Sequence, residues 1–264
     1  MSTAPLPRPI ALQLYTFRDL DMSFPDVLAL TAKTGFVGVE PAGLHGLPAT
    51  EVRRILDDLG LQVCSAHIQL PDDDAGKAAL EAIGPLGAPA IFPSLHEQWF
   101  SSADVVARAA DRFAAAATVA SEAGIQLGYH NHWWEFSQRV NGRHAYEVFL
   151  EELRARGVPV LLEVDIYWAQ VGGVDPAKLV GSLGTAVEYL HVKDGPGAPP
   201  DPHTVLMTPV GAGDVDVPAV LGANESVKWH VVELDRCGTD MVGAVRDSYS
   251  YLVDGHLSTG RSRG

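Results

Sequence analysis

The chain is short of positive charge. Nineteen Lys and Arg stand against 33 Asp and Glu, giving a formal charge of −14 at pH 7. A nucleic-acid partner demands a basic surface to meet its phosphates, so this balance argues against one. It does not exclude an anionic small substrate, and it suits an enzyme that concentrates cations near acidic groups. Cysteine is scarce too. Cys64 lies within an apolar strand-like run and Cys237 follows another, so two reduced thiols in a cytoplasmic protein are expected rather than a disulfide framework. No apolar run approaches the roughly 20 residues that span a bilayer, and no membrane association is expected. Residues 1–9 are Pro-rich and lack the apolar stretch of a secretion signal.

What the chain does have is alternation. Short apolar runs at 10–14, 36–40, 61–67, 90–92, 125–131, 158–165, 187–192 and 229–233 read as buried strands. Between them, segments at 24–34, 49–59, 76–86, 103–123, 144–156, 176–183, 217–221 and 239–252 have helical spacing, several with a glycine behind them. Eight strand–helix pairs in 264 residues predict one domain, an α/β fold with a parallel sheet closed as a (β/α)8 TIM barrel. The expected bounds are a flexible arm at 1–9, the barrel at 10–257 and a disordered tail at 258–264. A doubly wound open sheet is disfavoured. Tyr15-Thr-Phe-Arg18, not a glycine-rich phosphate loop, follows the first strand. Gly211-Ala-Gly213 lacks the third glycine of a dinucleotide fingerprint and reads as a turn before the seventh helix.

Four of the strands end in metal-ligating side chains: Tyr129-His-Asn-His132, Glu163-Val-Asp165, His191-Val-Lys193 and Glu233. Residues two apart share a strand face, so His130 and His132 point together, as do Glu163 and Asp165, and His191 and Lys193. At the carboxyl ends of barrel strands that face is the mouth, where TIM-barrel chemistry sits. His130, Asp165, His191 and Glu233 would approach one point and hold one divalent ion; two imidazoles and two carboxylates suit Mn, Co, Zn or Mg. Glu163, a layer deeper, is expected to pair with Lys193. Glu40 and His67, ending strands two and three, are candidates to face substrate hydroxyls. Trp133, Trp134 and Trp168 follow strands five and six, where rings could stack on a sugar's C–H face.

Across nearly the whole chain these motifs resemble the sugar phosphate isomerase/epimerase family of xylose-isomerase-like TIM barrels. The likeness runs from Leu12-Gln-Leu-Tyr-Thr-Phe-Arg18 and Gly38-Val-Glu40 through Ser65-Ala-His67, Tyr129-His-Asn-His-Trp-Trp-Glu-Phe136 and Val164-Asp-Ile-Tyr-Trp168. It ends with Leu190-His-Val-Lys-Asp-Gly195, Gly211-Ala-Gly213 and Glu233. The resemblance implies a metal held by Glu, Asp, His and Glu from four strand ends. Asp165, His191 and Glu233 match by type and place, while His130 stands where many relatives have Glu. Two metal-bound glutamates act as the acid–base pair in such epimerases. Here only Glu233 keeps that role, and His130, His132 or Glu135 would supply the other, with Glu135 also a candidate substrate contact. Trp168 stands where several relatives place a substrate-binding His.

The implied activity is metal-dependent isomerisation or epimerisation of a sugar or sugar derivative, in which a base removes a proton beside a carbonyl and Lys193 steadies the enediolate. A lyase using the same site, either a dehydratase or an enzyme cleaving 3-keto glycosides, is the alternative. A non-catalytic sugar-binding barrel is a third reading. A nuclease of the same fold is argued against by the charge. The sequence leaves a homo-oligomer open.

Overall fold

The computed structural model describes residues 7–261. Its eight barrel strands are β1 (Arg8–Gln13), β2 (Gly38–Glu40), β3 (Gln62–Val63), β4 (Ala90–Ile91), β5 (Gln126–His130), β6 (Leu161–Asp165), β7 (Val187–Val192) and β8 (Trp229–Val232). All pair in parallel, in the order β3-β2-β1-β8-β7-β6-β5-β4. The ring closes through Ala66, whose N–H donates to Ala90 O at 3.1 Å while its carbonyl accepts from Phe92 N at 3.0 Å. The fold is a single (β/α)8 barrel.

The helices that jacket it are α1 (Phe24–Thr34), α2 (Ala49–Leu59), α3 (Asp74–Ile83), α4 (Ala103–Glu122), α5 (Ala145–Ala155), α6 (Pro176–Leu183), α7 (Val217–Leu221) and α8 (Met241–Asp254). Their starts follow side-chain caps. Ser23, Asp73, Asp175, Asp216 and Asp240 each accept a backbone N–H three residues on, which satisfies a donor that the helix itself leaves unpaired. Asp73 is why α3 begins two residues before its sequence-based start. No helix among the described residues is long and apolar enough to cross a membrane.

The strand period builds the barrel interior in layers. Ala11, Leu161, Tyr189 and Val231 pack with Cys64, Ala90 and Phe92 into a small inner core. Two residues further along the strands, Gln13, Glu163, His191 and Glu233 replace them. The floor is therefore apolar and the mouth ionisable. Gly128 fits this packing because a Cβ there would lie 2.1 Å from Phe92. The main core fills the space between barrel and helices. Cys64 is buried, and neither it nor Cys237 forms a disulfide.

Three expectations are corrected here. The third strand is regular only at Gln62–Val63, and residues 64–67 continue as isolated bridges. Helical turns at Trp134–Ser137 and Ile166–Val171 and a hairpin of Arg139–Val140 with Arg143–His144 stand outside the expected elements, save that His144 was expected to open the fifth helix. The boundaries of arm and tail also shift. Arg8 and Pro9 pair in parallel with Ser258 and Thr259, and the Arg261 guanidinium donates to Leu59 O at 2.7 Å and to Gly60 O. The remainder of both segments, 1–6 and 262–264, lies outside the described residues.

Candidate metal centre

β6, β7 and β8 are neighbours, and they bring Asp165, His191 and Glu233 together. One ligand atom from each lies within 4.8 Å of the others. His191 Nδ1 is 2.8 Å from Glu233 Oε2. His130, on the other side of β6, faces the group with Nε2, 4.0 Å from Asp165 Oδ2. Three of the four expected ligands therefore converge, while His130 groups with His67, Glu163 and His191 beside them. All four expected ligands are buried. Asp165 Oδ2 and His191 Nδ1 have no hydrogen bond of good geometry, and their close neighbours are electrostatic contacts only. Two buried ligand atoms that lack a well-formed hydrogen bond, beside a third ligand from Glu233, make a donor set of carboxylates and imidazole that fits a divalent cation.

Asp165 is held from two sides. Asn131 clamps its backbone, accepting from Asp165 N at 3.1 Å and donating to Asp165 O at 3.2 Å. Its own Oδ1 accepts from Trp168 N at 2.8 Å, which starts the helical turn after β6. Burial raises the Asp165 carboxyl to about 6, against the pull of Lys193.

Lys193 lies within the same group and is almost wholly buried. Its Nζ is 3.0 Å from Asp165, 2.7 Å from Glu233 and 2.8 Å from Asp235. Burial opposes its charge, but the three carboxylates hold it well above the usual lysine range. Glu233 is likewise buried, yet Lys193 and His191 keep it ionised, well below the usual range. Asp235 was missed in the sequence. It stands two residues after Glu233, so the same alternation that paired the other ligands could have found it.

Glu163 does not pair with Lys193, contrary to expectation. Its Oε2 lies 2.6 Å from His67 Nε2, 3.1 Å from His130 Nδ1 and 3.1 Å from His191 Nε2. Burial disfavours its charge, but these imidazoles hold it ionised. Glu40 also departs from expectation. Its Oε1 accepts from Ser65 at 2.6 Å, and its Oε2 accepts from Gln13 at 2.7 Å and sits 2.6 Å from His191 Nε2. It is fully buried, with both oxygens engaged by protein partners. Burial lowers His191's affinity for a proton, but Glu163, Glu40 and Glu233 together raise it well above the ordinary histidine value. His130 has the opposite balance, and burial pushes it down to about 3, so it is neutral.

A cavity of about 310 Å³ opens on the centre, lined in part by His67, His130, His132, Lys193, Glu233 and Asp235. A second, of about 200 Å³, shares His132 and Asp235 and adds Arg18, Trp133, Trp134 and Trp168. Trp133 is half-buried and edges Trp168 and Trp134, each at 4.6 Å. Trp168 is only 4% exposed, with Lys193 Nζ 5.6 Å from its ring, so packing claims most of it. His132 stacks on Trp134 at 4.1 Å and is neutral, because burial pushes it well below the usual value. Glu135 faces neither cavity. It accepts from Tyr129 Oη at 2.5 Å and from His132 N at 3.0 Å, and burial raises it to about 8. It braces the turn after β5. A larger surface cavity of about 630 Å³ lies away from the carboxyl strand ends, beside Leu80, Val119 and Ile125.

The Gly211–Gly213 turn lies beside this rim. Asp194 accepts backbone N–H groups from Gly195, Gly211, Gly213 and Val215 at 2.8–3.1 Å. A Cβ on Gly213 would lie 2.1 Å from that carboxylate, so the turn requires glycine there.

The family model for the xylose isomerase-like TIM barrel matches residues 28–230. The structure resembles a sugar phosphate isomerase/epimerase from Parabacteroides distasonis ATCC 8503, with a TM-score of 0.74 at 21% identity over 96% of this chain and 98% of that one. It also resembles the probable 3-DHS dehydratase AsbF of Bacillus anthracis, involved in petrobactin synthesis, with a TM-score of 0.71 at 15% identity over 92% and 98%. A third likeness is to the IOLI protein with a binding zinc atom, with a TM-score of 0.68 at 13% identity over 95% and 100%. At these identities the likenesses speak to fold. No protein of curated function matches the chain.

Proposed function

The chain belongs to the xylose isomerase-like TIM barrel family, and from that premise we propose that it is a divalent-metal-dependent isomerase or epimerase of a sugar or sugar derivative. The observation that carries this reading is the convergence of Asp165, His191 and Glu233 under a cavity large enough for a small polar molecule. His130, Asp165, His191 and Glu233 would hold the ion, with Mn, Co, Zn and Mg all compatible with the donors. When bound, such an ion polarises a carbonyl and its neighbouring hydroxyl.

The protein's own groups have distinct parts. Glu233 is ionised and lines the cavity, so it is the base that takes the proton beside the carbonyl. Lys193 is a fixed cation at the same edge and stabilises the enediolate without having to reorganise. His132 on the strand-five side is neutral and lines both cavities, which suits it to serve as the second acid–base group from across the ring. Trp133 offers a face to the sugar's C–H surface. We place this activity in the cytoplasm, in keeping with two free thiols.

The test is Glu233→Gln. The amide still has an oxygen for coordination but is too weak a base. Exchange of the substrate's α-proton with deuterated solvent should cease while the fold persists. Exchange at the wild-type rate would leave Glu233 with a binding role only.

A lyase is the second reading. The observation favouring it is that His130 and His132, not a glutamate, face Glu233 from strand five. A neutral imidazole carries both an N–H and a lone pair, so it can donate to a leaving oxygen as well as to carbon. Incubation with ketoses and 3-keto glycosides distinguishes the two, since epimerisation conserves mass and elimination releases water or an aglycone.

A further inference from the structure

Both imidazoles of the candidate centre reach past it. His130 turns Nε2 toward Asp165 and Nδ1 toward Glu163, at 4.0 and 3.1 Å. His191 turns Nδ1 toward Glu233 at 2.8 Å, while its Nε2 lies 2.6 Å from Glu40 and 3.1 Å from Glu163. Each ring therefore has one nitrogen in the centre and the other on a buried carboxylate beneath it. A third imidazole, His67, closes on the same Glu163 oxygen at 2.6 Å.

A neutral imidazole has one N–H and one lone pair, and the hydrogen bond made by one nitrogen decides which the other presents. We propose that Glu163 is a positioning residue: with Glu40 behind it, it engages the inner nitrogens of His130 and His191 as N–H donors, so that both rings turn their outer nitrogens to a cation at the outer group. The inference rests on the metal reading above and extends it to a residue that touches neither the ion nor the substrate. Glu163 is fully buried on β6, and its Oε2 is at hydrogen-bond distance from all three imidazoles. The adjacent Glu40 is fixed by Ser65 and Gln13, so the platform is braced from β1 and from the segment that follows β3. Carboxylates that orient metal-bound histidines in this way typically govern metal affinity by 10–100-fold.

The rival is a second ion within the platform, because ligand atoms of His67, His130, Glu163 and His191 also lie within 4.8 Å of one another. Two ions at once would require both nitrogens of His130 and of His191 to give up their protons. The separations of 2.6–3.1 Å are those of hydrogen bonds instead.

The experiment has two readouts. Long-range ¹⁵N NMR of the metal-free wild type should show His130 as the Nδ1–H tautomer, and Glu163→Leu should lose it, because the apolar side chain offers no acceptor. Titration with Zn²⁺ or Mn²⁺ should give one ion per chain in both proteins, with the variant 10–100-fold weaker. An Nε2–H tautomer of His130 in the wild type would overturn the proposal, and this measurement needs no variant to fold. Unchanged affinity in Glu163→Leu, or two ions in wild type falling to one in the variant, would also overturn it. A wild type that binds no ion yet shows the Nδ1–H tautomer, lost in the variant, would sink the metal reading and leave the positioning of His130 standing.

Discussion

Lys193→Met separates charge compensation from packing at the centre. The substitution keeps most of the stem volume and removes the ammonium. Its partners are Asp165, Glu233 and Asp235 at 3.0, 2.7 and 2.8 Å, and the lysine side chain is 1% exposed. Removing one member of a buried ion pair costs about 3–5 kcal/mol, because the other charge stays buried and uncompensated. Asp235 is 26% exposed and keeps some hydration, which favours the lower end, about 3 kcal/mol. In a chain of this size each 1 kcal/mol moves Tm by about 2–4 °C, so the metal-free variant should melt roughly 6–12 °C below wild type. The same change removes a cation from beside the ion site. A divalent ion should bind the variant more tightly, and at 100 times its Kd it contributes about 2.7 kcal/mol, nearly offsetting the loss. Turnover should still fall, since no fixed cation remains beside the enediolate. Melting followed by circular dichroism, in chelator and then in Mn²⁺ or Zn²⁺, checks this. An unchanged Tm in chelator, or a metal-induced rise no larger than that of wild type, would refute the assignment of Lys193 as the compensating cation.

Asp165→Ala should abolish stoichiometric metal binding, as read by elemental analysis. It should cost the fold about 1 kcal/mol through the lost cap on Trp168 N. Metal affinity should rise with pH. His191 binds a proton well above the ordinary histidine pKa in the metal-free protein, so coordination through Nδ1 must displace that proton, and the penalty shrinks as pH approaches its pKa. Below about pH 6 Asp165 also takes up a proton, so a plot of log affinity against pH should steepen there; a flat profile from pH 5 to 8 would contradict the ligand set. Trp133→Ala should raise KM for a sugar substrate by about five- to tenfold, the equivalent of about 1 kcal/mol or more for a stacked ring. Trp168→Ala should instead lower Tm, because its ring is buried. Equal effects of the two on KM would show that both rings meet the substrate.

The barrel and the directions of its ligands were legible because both rest on local periodicity. Apolar runs of strand length, helical spacing and capping residues set the alternation, and the two-residue strand period put Asp165, His191 and Glu233 on the inner face before any contact was known. Which partner each group takes is a different matter, because those partners come from distant strands. Glu163 meets three imidazoles instead of Lys193, and the bulge between Leu162 and Glu163 shifts the pairing with β7. Glu40 and Glu135 look like rim carboxylates in sequence, yet Ser65, Gln13 and Tyr129 bind them below it. Sequence by itself fixed which side chains enter the barrel, since that follows from parity along one strand. Only the tertiary structure decided which nitrogen of each imidazole faces the centre, because ring rotation depends on carboxylates brought in from β2, β6 and β8.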